Sequence, residues 1–496
     1  MARIAVIGAG MGALSAAARL AVAGHRVAVY ERTDTYGGAL RRFERDGFSF
    51  DTGPGLLPLP AVYRDLFVKT GREPLEACVE LVQVDPSSRH VFADGTRVSL
   101  PNASRAGVVA ALDEALGSGA GKRWGDFLVR AREAWDRTRR PLLEEPLWPN
   151  WQVLAEREPY PAVPHKRLLR TRRAGTLAEV GAWELRDPRL AALLEGYALA
   201  QGLDPRVTPA SAAVLPYMEH AFGTWYVRGG MRELARAVYE RCLARKVEFR
   251  FGAEVTGVLE KDGRASGVEL AGGTVAEADF VVAGVAPGVL DRLTAGYAVR
   301  GDGEVPAQRT AAGRLTVLLA LRGGRPEGTA HRTVVHARDR EAELDALFGA
   351  AAQPGHPTVT VLRPDDPGSA PEDHEAVTLT AVVPARPDRS CDDLAARMIT
   401  VAEQAVPDLR DRLLWHEVRT PADIADATGA EDGSVPVPAL AAVGGRLLHP
   451  SNNTRMPGLF AVGGWAHPGG GLPHAGMSGA LVAGLIVEGP DFRGSQ

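Results

Sequence analysis

The stretch RIAVIGAGMGALSAAARLAVAGHRVAVYER, Arg3–Arg32, decides the fold of this chain. Ile4–Ile7 is a short apolar run that ends at a glycine, as a buried parallel strand would. Ala13–Ala23 is rich in alanine and leucine and predicts a helix, and Val27–Tyr30 predicts a second buried strand. The order strand, glycine turn, helix, strand predicts a β–α–β unit in an α/β domain with a parallel sheet.

The turn after the first strand matches the G-x-G-x-x-G/A pattern through Gly8, Gly10 and Ala13, with Met11 and Gly12 between them. Gly8 allows the tight turn, Gly10 lets the backbone approach a pyrophosphate, and Ala13 keeps the helix close to the sheet. Free N–H groups at the positive end of the helix can then bind the pyrophosphate. We expect a dinucleotide here. The alternative is a glycine-rich loop that binds nothing.

An acidic residue and a second glycine pair follow this unit. Glu31 ends the second strand, where a carboxylate can accept hydrogen bonds from both ribose hydroxyls and would repel a 2′-phosphate, and Arg32 comes next. NADP is therefore disfavoured. Gly37 and Gly38, followed by Ala39, would let a loop fold over the cofactor, although an ordinary turn would have the same composition. All five residues are candidate cofactor contacts.

Length and composition exclude several classes of protein. A chain of 496 residues favours two domains over one, and a net charge of −4 gives no reason to expect nucleic acid as a partner. Cys78, Cys242 and Cys391 are too far apart to indicate a disulfide framework or a metal site, and they suit the reducing cytoplasm. No apolar run reaches the ~18 residues of a membrane span, which leaves peripheral membrane contact open.

The C-terminal segment carries the second strong signal. Leu459–Val462 predicts a buried strand, and a glycine-rich loop then leads into a helix predicted over Pro473–Val487. The N–H groups at the start of that helix would face an anion or a cofactor edge on which negative charge develops. The candidate cofactor-binding residues of this segment are Gly463, Gly464, His467, Gly471, Leu472 and Pro473.

Four β-rich runs between these signals predict a separate antiparallel sheet. They are Leu315–Leu321, Thr333–His336, Thr358–Leu362 and Ala376–Val383. We assign residues 1–75, 221–300 and 440–496 to a discontinuous nucleotide-binding domain, and residues 76–220 and 301–439 to an inserted substrate domain. Arg139–Arg173 is rich in Pro, Arg and Trp. It could form a loop over the substrate entrance, a membrane-facing surface, or an ordinary surface excursion.

Three segments of the sequence carry motifs that together identify a family. The first joins Glu31 and the double glycine to a D-x-G-P segment, Asp51–Pro54. The second is Gly223–Met231, which reads GTWYVRGGM. The third contains SNNTRMPGL and HPGGGLP within Ser451–Pro473. Together these segments resemble the bacterial phytoene desaturase family within the superfamily of FAD-dependent amine oxidases. That family has glycine at the position after L-P, where this chain has histidine.

The resemblance implies a Rossmann-type FAD-binding domain with an inserted substrate domain built on an antiparallel sheet plus helices. It implies FAD as the cofactor, a lipophilic polyene or carotenoid-like substrate, and hydride transfer to flavin N5. In that family the residue matching Val255 contributes its backbone to adenine binding. These statements are expectations from the resemblance, and composition alone does not give them.

Two residues are candidates for catalysis. His474 stands at the start of the C-terminal helix, where the positive helix end favours a neutral imidazole that could accept a substrate proton. Its alternative role is to fill space beside the cofactor. Trp465 is a candidate for an aromatic wall above the flavin, and His467 is expected to hold the glycine-rich loop in place.

Three alternative functions remain open. Ala466–Pro468 resembles the second flavin motif of aromatic hydroxylases, although Gly464 stands where that motif has aspartate. An amine oxidase would need an aromatic cage for a polar substrate. A non-catalytic carrier of prenylated proteins has a related fold, but the intact glycines and Glu31 argue against it.

Overall fold

A computed structural model describes residues 1–147, 158–165, 170–296, 312–349, 355–384, 391–441 and 451–494. The strands are β1 (Arg3–Ile7), β2 (Arg26–Glu31), β3 (Arg42–Arg45), β4 (Phe48–Asp51), β5 (Leu57–Pro58), β6 (Leu81–Gln83), β7 (Ser88–Val91), β8 (Arg97–Leu100), β9 (Val163–His165), β10 (Arg170–Arg172), β11 (Thr224–Val227), β12 (Glu248–Phe251), β13 (Val255–Lys261), β14 (Arg264–Leu270), β15 (Val275–Glu277), β16 (Phe280–Ala283), β17 (Ala312–Arg322), β18 (Arg332–Val335), β19 (Val359–Leu362), β20 (His374–Pro384), β21 (Leu413–Arg419) and β22 (Leu459–Ala461).

The α-helices are α1 (Met11–Val22), α2 (Ala61–Thr70), α3 (Leu75–Cys78), α4 (Arg105–Leu116), α5 (Ala120–Arg139), α6 (Leu177–Val180), α7 (Pro188–Leu199), α8 (Val214–Phe222), α9 (Arg232–Ala244), α10 (Pro287–Leu293), α11 (Arg340–Phe348), α12 (Cys391–Ala402), α13 (Leu409–Arg412), α14 (Pro421–Thr428) and α15 (Leu472–Val487). Residues 148–157 and 166–169 of the stretch Arg139–Arg173 lie outside the described residues.

The first β–α–β unit forms part of a five-stranded sheet within the described residues, in the order β12-β2-β1-β16-β22. Every pair in it is parallel. The carboxyl ends of all its strands therefore meet at one edge. Because β1 lies between β2 and β16, the glycine turn after β1 lies where the strand order reverses, which is the usual ligand position in open α/β sheets.

Two helices cross on this sheet at close range because small residues separate them. At Gly479 of α15, an added Cβ would stand 2.6 Å from the carbonyl oxygen of Gly12 and 2.6 Å from Cβ of Ser15 on α1. The apolar core below them contains side chains from both ends of the chain, including Leu14, Leu20 and Val482. The first and last segments of the sequence thus fold as one layer.

The predicted antiparallel strands lie in a larger sheet, with the order β21-β17-β20-β19-β18-β7-β8. Its pairs are antiparallel except β18 with β7, which is parallel. The hairpin β7–β8 comes from an earlier part of the chain and extends the sheet at one edge. Alternation divides β19 between two faces: Val359 and Val361 pack in the core that contains residues of α12, whereas Thr360 and Leu362 line a cavity.

The α/β fold class with a parallel nucleotide-binding sheet and a second sheet with helices is confirmed. A helical cluster containing α4, α5, α7 and α8 has its own core, in which Trp124, Phe127 and Leu194 are fully buried. Within the described ranges, no helix is both long and apolar enough to cross a membrane. No group of three or more His, Cys, Asp or Glu side chains in those ranges could hold a metal ion.

Candidate active site

The glycine turn leads directly from β1 into α1. Gly8 has φ +86°, and its N–H donates to the carbonyl oxygen of Tyr30 at 2.8 Å. Helix α1 begins at Met11, two residues before the predicted start, with Gly10 as its N-cap. The first turn therefore includes Met11 and Gly12. A Cβ at Gly10 would meet no protein atom within 4 Å, which leaves the cradle that a pyrophosphate requires.

The second glycine pair lies beside this turn. Gly37 donates its N–H to the carbonyl oxygen of Ala9 at 2.8 Å, and a Cβ at Gly38 would stand 3.0 Å from Cα of Gly10. Both glycines have positive φ, +98° and +60°. The loop is held by Arg232, whose guanidinium carbon lies 4.0 Å from the ring centroid of Tyr36. The sequence reasoning did not single out Arg232, although it directly follows the G-G-M segment.

Glu31 is buried against the glycine turn. Its Oε2 accepts a hydrogen bond from the backbone N–H of Ala9 at 2.8 Å, and its Oε1 accepts bonds from N and Oγ1 of Thr33, both at 2.9 Å. The next side chain, Arg32, donates to the carbonyl oxygen of Asp426. Val255 begins β13 and packs in the cluster that contains Tyr30. Cofactor contacts of Glu31, Arg32, Ala39 and Val255 stay predictions.

Asp51 joins two of the segments that carry the family resemblance. Its carboxylate accepts hydrogen bonds from the N–H groups of Met231 at 2.8 Å and Arg232 at 3.4 Å, at the start of α9. Burial raises the pKa of Asp51 to about 6, and the two backbone donors lower it in part. The D-x-G-P segment therefore positions the G-G-M segment, a role that the sequence reasoning did not assign.

The C-terminal loop is fixed by Asn452 and Ser478. The Asn452 amide donates to the carbonyl oxygen of His467 at 2.7 Å and to Oγ of Ser478 at 3.1 Å. That Oγ also accepts the N–H of Gly463 at 3.0 Å. A Cβ at Gly12 would stand only 2.6 Å from Cα of Gly463, so the N-terminal and C-terminal glycine segments touch. The structure thus brings the two strongest sequence signals together.

Other predicted residues of this loop do not line the large cavity beside the start of α15. His467 is fully buried and its Nε2 lies 2.9 Å from the carbonyl oxygen of Glu145. It therefore anchors the loop to the segment that follows α5. Gly464 packs against the carbonyl oxygen of Gly470, 2.7 Å from its Cβ position. Trp465 is half-buried and is not among the residues that line the large cavity.

The start of α15 borders a cavity of about 320 Å³, lined by Gly471, Pro473 and His474. The helix start is fixed by Tyr63, whose hydroxyl donates to the carbonyl oxygen of Leu472 at 2.8 Å. His474 thus lies in the cavity wall, and its role in catalysis stays a prediction. The apolar part of the lining includes Leu193, Leu199, Leu215, Met218, Val334 and Leu362.

The polar part of the cavity wall includes an ion pair and a pair of histidines. Arg332 and Glu219 form an ion pair, with Nη2 and Oε1 2.5 Å apart. His90 and His336 share a hydrogen bond of 3.0 Å between Nδ1 and Nε2. Burial lowers the pKa of His336 to about 4 and the pKa of His90 well below its usual value, so both imidazoles are neutral at pH 7.

A comparison with models of protein families identifies the family of this chain. The model for flavin-containing amine oxidoreductases matches residues 14–487. The chain belongs to this family. It is 30% identical to a 4,4′-diapolycopene oxygenase of Methylomonas sp, with 98% of both chains covered. It is also 30% identical to a zeta-carotene-forming phytoene desaturase of Myxococcus xanthus, with 97% of this chain and 93% of the relative covered.

A solved oxidoreductase from Methanosarcina mazei has the same fold. The TM-score is 0.64 at 18% identity, with 97% of this chain and 99% of that chain covered. The predicted membership of a carotenoid desaturase-like flavoprotein family is confirmed, as are FAD and oxidoreductase activity. The geometry fits FAD. Gly10 and Gly471 are helix N-caps whose Cβ positions have no protein atom within 4 Å. Glu31 ends β2 and accepts the N–H of Ala9, the residue before Gly10.

Proposed function

We propose that this enzyme dehydrogenates a lipophilic polyene of the carotenoid type. The observation that carries the proposal is the apolar cavity that ends at Gly471, Pro473 and His474, at the N-terminus of α15. A long hydrocarbon gains about 25 cal/mol for each Å² of apolar surface that leaves water, so such a wall favours it. The names of the relatives, a phytoene desaturase and a diapolycopene oxygenase, support the same substrate class.

The residues of the chain divide the work of this reaction. The turn Gly8–Ala13, the pair Gly37 and Gly38, and Glu31 would hold the dinucleotide part of FAD, and the N–H groups at the start of α15 would face the flavin. When bound, FAD supplies the acceptor for a hydride from the substrate. The cavity wall orients the polyene and excludes water. We assign to the imidazole of His474 the acceptance of the accompanying proton.

Product analysis tests the reaction type. The purified enzyme is incubated with a polyene under air, and the mass of the product is measured by mass spectrometry. The proposal requires the loss of two hydrogens from the substrate. A product that has gained oxygen instead would support oxygenation, as the name of the Methylomonas relative describes for that protein. Turnover of soluble amines or phenols alone would contradict the desaturase function.

We also propose peripheral contact with a membrane through the end of α8. Phe222 is 36% exposed, and its ring centroid lies 5.7 Å from that of Trp135 and 6.4 Å from that of Tyr217. Leu215 and Met218 of the same helix line the cavity. An aromatic patch next to the cavity wall would let a lipophilic substrate enter from a bilayer.

Flotation with liposomes tests this contact. Phe222→Glu should reduce the floated fraction, because a carboxylate in the headgroup boundary must be desolvated. Val275→Glu is the matched control, since Val275 is 53% exposed on β15, outside the helical cluster. Equal flotation of both variants and the wild type would contradict this contact surface.

A further inference from the structure

A group of three polar side chains in the cavity wall has no role in oxidising a pure hydrocarbon. Glu219 on α8 and Arg332 at the start of β18 form the ion pair described above. Tyr197 on α7 donates its hydroxyl to the same carboxylate oxygen, Oε1 of Glu219, at 3.1 Å. All three residues line the cavity. We call Tyr197, Glu219 and Arg332 the polar cluster.

The hydrogen bonds of the polar cluster leave one nitrogen of Arg332 and one oxygen of Glu219 without a partner among the described residues. Arg332 donates through Nε to the carbonyl oxygen of Ser87 at 3.1 Å and through Nη2 to Glu219. Its Nη1 makes no hydrogen bond to any described residue. Glu219 receives its two bonds on Oε1, and Oε2 accepts none from the described part of the chain. The side chains of Arg332 and Glu219 keep 19% and 10% of their surface exposed, and both residues line the cavity.

The position of the polar cluster is energetically unfavourable for a purely structural ion pair. Apolar side chains such as Leu193, Leu215 and Met218 share the same wall. Removing two charges from water costs several kcal/mol per ion, and well-packed apolar residues of similar volume are often as stable or more stable. An ion pair with unused hydrogen-bonding groups in such a wall is better explained by recognition of a ligand.

We propose that the polar cluster binds a hydroxyl group of the substrate and thereby selects a hydroxylated polyene over the matching hydrocarbon, an inference that rests on the proposed polyene oxidation. A hydroxyl can accept a hydrogen bond from Nη1 of Arg332 and donate one to Oε2 of Glu219. The ion pair is neutral overall, which suits an uncharged group. A carbonyl could only accept, and a carboxylate would be repelled by Glu219.

The test compares kcat/KM for a hydroxylated polyene and for the same polyene without the hydroxyl. In the wild type we expect kcat/KM to be about tenfold to a hundredfold higher for the hydroxylated polyene, because the hydrocarbon cannot form the hydrogen bonds to the two charged groups. The double variant Glu219→Leu/Arg332→Met removes both charges together and leaves no unpaired buried charge. It should lose the preference while it still oxidises the hydrocarbon.

Met218→Leu is the matched control, since it changes an apolar wall residue of the same helix and should affect both substrates in parallel. If the double variant does not retain FAD, Glu219→Gln replaces it, and the preference should then fall about tenfold. That substitution removes the charged acceptor and keeps the side-chain volume.

Three results would overturn the inference. The first is equal kcat/KM for the two polyenes in the wild type, and the second is an unchanged ratio in both charge variants. The third is a preference for a carboxylate-ended polyene, which would assign recognition to Arg314. That residue lines the same cavity, donates to the carbonyl oxygen of Ala200 at 3.0 Å, and forms no ion pair with a described residue. Failure of every polyene to reduce the flavin would instead reject the proposed function itself, and the inference with it.

Discussion

Replacing Gly12 with alanine tests the contact that joins the two ends of the chain. The added Cβ would stand 2.6 Å from Cα and 2.9 Å from N of Gly463, and 3.0 Å from the carbonyl oxygen of Ala475. All three are backbone atoms, which cannot rotate away. Carbon atoms in contact normally lie about 3.5–4.0 Å apart, so α1 and the C-terminal loop would have to separate by about 1 Å.

Overpacking of this kind lowers the free energy of unfolding by about 1–3 kcal/mol. We expect Gly12→Ala at the upper end of this range, because the atoms that the new Cβ meets belong to rigid backbone. We expect the thermal midpoint of the apoprotein to fall by several degrees. We also expect less FAD per protein, because the separation displaces the start of α15 from the glycine turn. Thermal unfolding without added FAD and the amount of FAD released on denaturation measure the two effects.

Two further glycines separate packing from cofactor binding. A Cβ at Gly10 meets no protein atom within 4 Å, so Gly10→Ala should keep the apoprotein midpoint and lose FAD, because the methyl group fills the pyrophosphate cradle. Gly324→Ala, in the loop after β17 and equally free of neighbours, should change neither quantity. If Gly12→Ala keeps both the wild-type thermal midpoint and the wild-type amount of FAD, the close contact between Gly12 and Gly463 is refuted. If Gly10→Ala keeps the wild-type amount of FAD, the pyrophosphate cradle at Gly10 is refuted.

Substitutions at three other residues give separate predictions. His474→Ala and His474→Gly should slow flavin reduction by about two to four orders of magnitude with FAD still bound, and an unchanged rate and pH profile would make His474 structural. Glu31→Arg should weaken FAD binding in a dialysis assay, because it removes the carboxylate at the turn and adds a cation near the positive helix end. Asp51 has a raised pKa of about 6, so its ionisation opposes folding. The stability difference between Asp51→Asn and the wild type should shift by roughly 3 kcal/mol in favour of the variant as the pH rises from about 3 to 7. Denaturant titrations that show no such shift would contradict the buried carboxylate.

The sequence could predict the elements of the two sheets because local patterns determine them. Apolar runs such as Ile4–Ile7 and Leu315–Leu321 appear as strands with small changes at their ends. The glycine turn after β1 was also predictable. Gly8 has positive φ, and glycine adopts that conformation without steric cost. Motifs of this sort can be recognised in the sequence because their residues are close to one another along the chain.

The sequence could not predict contacts between distant segments. Nothing local to Gly12 shows that it touches Gly463, and nothing local to Asp51 shows that its partner is the N–H of Met231. The parallel pairing of β18 with β7 could not be predicted for the same reason, because it joins residues separated by more than two hundred positions in the sequence. The ion pair of Glu219 and Arg332 is a further case, since each residue alone is typical of a solvated surface.

The most direct test of the central claim is flavin reduction by a polyene in the absence of oxygen. The purified holoenzyme is mixed anaerobically with the polyene in detergent or liposomes, and the absorbance band of oxidised flavin is followed in a single turnover. The account predicts that the band bleaches and that the recovered polyene has lost two hydrogens per flavin reduced. A flavin that stays oxidised with every polyene and bleaches only with soluble amines or phenols would contradict it.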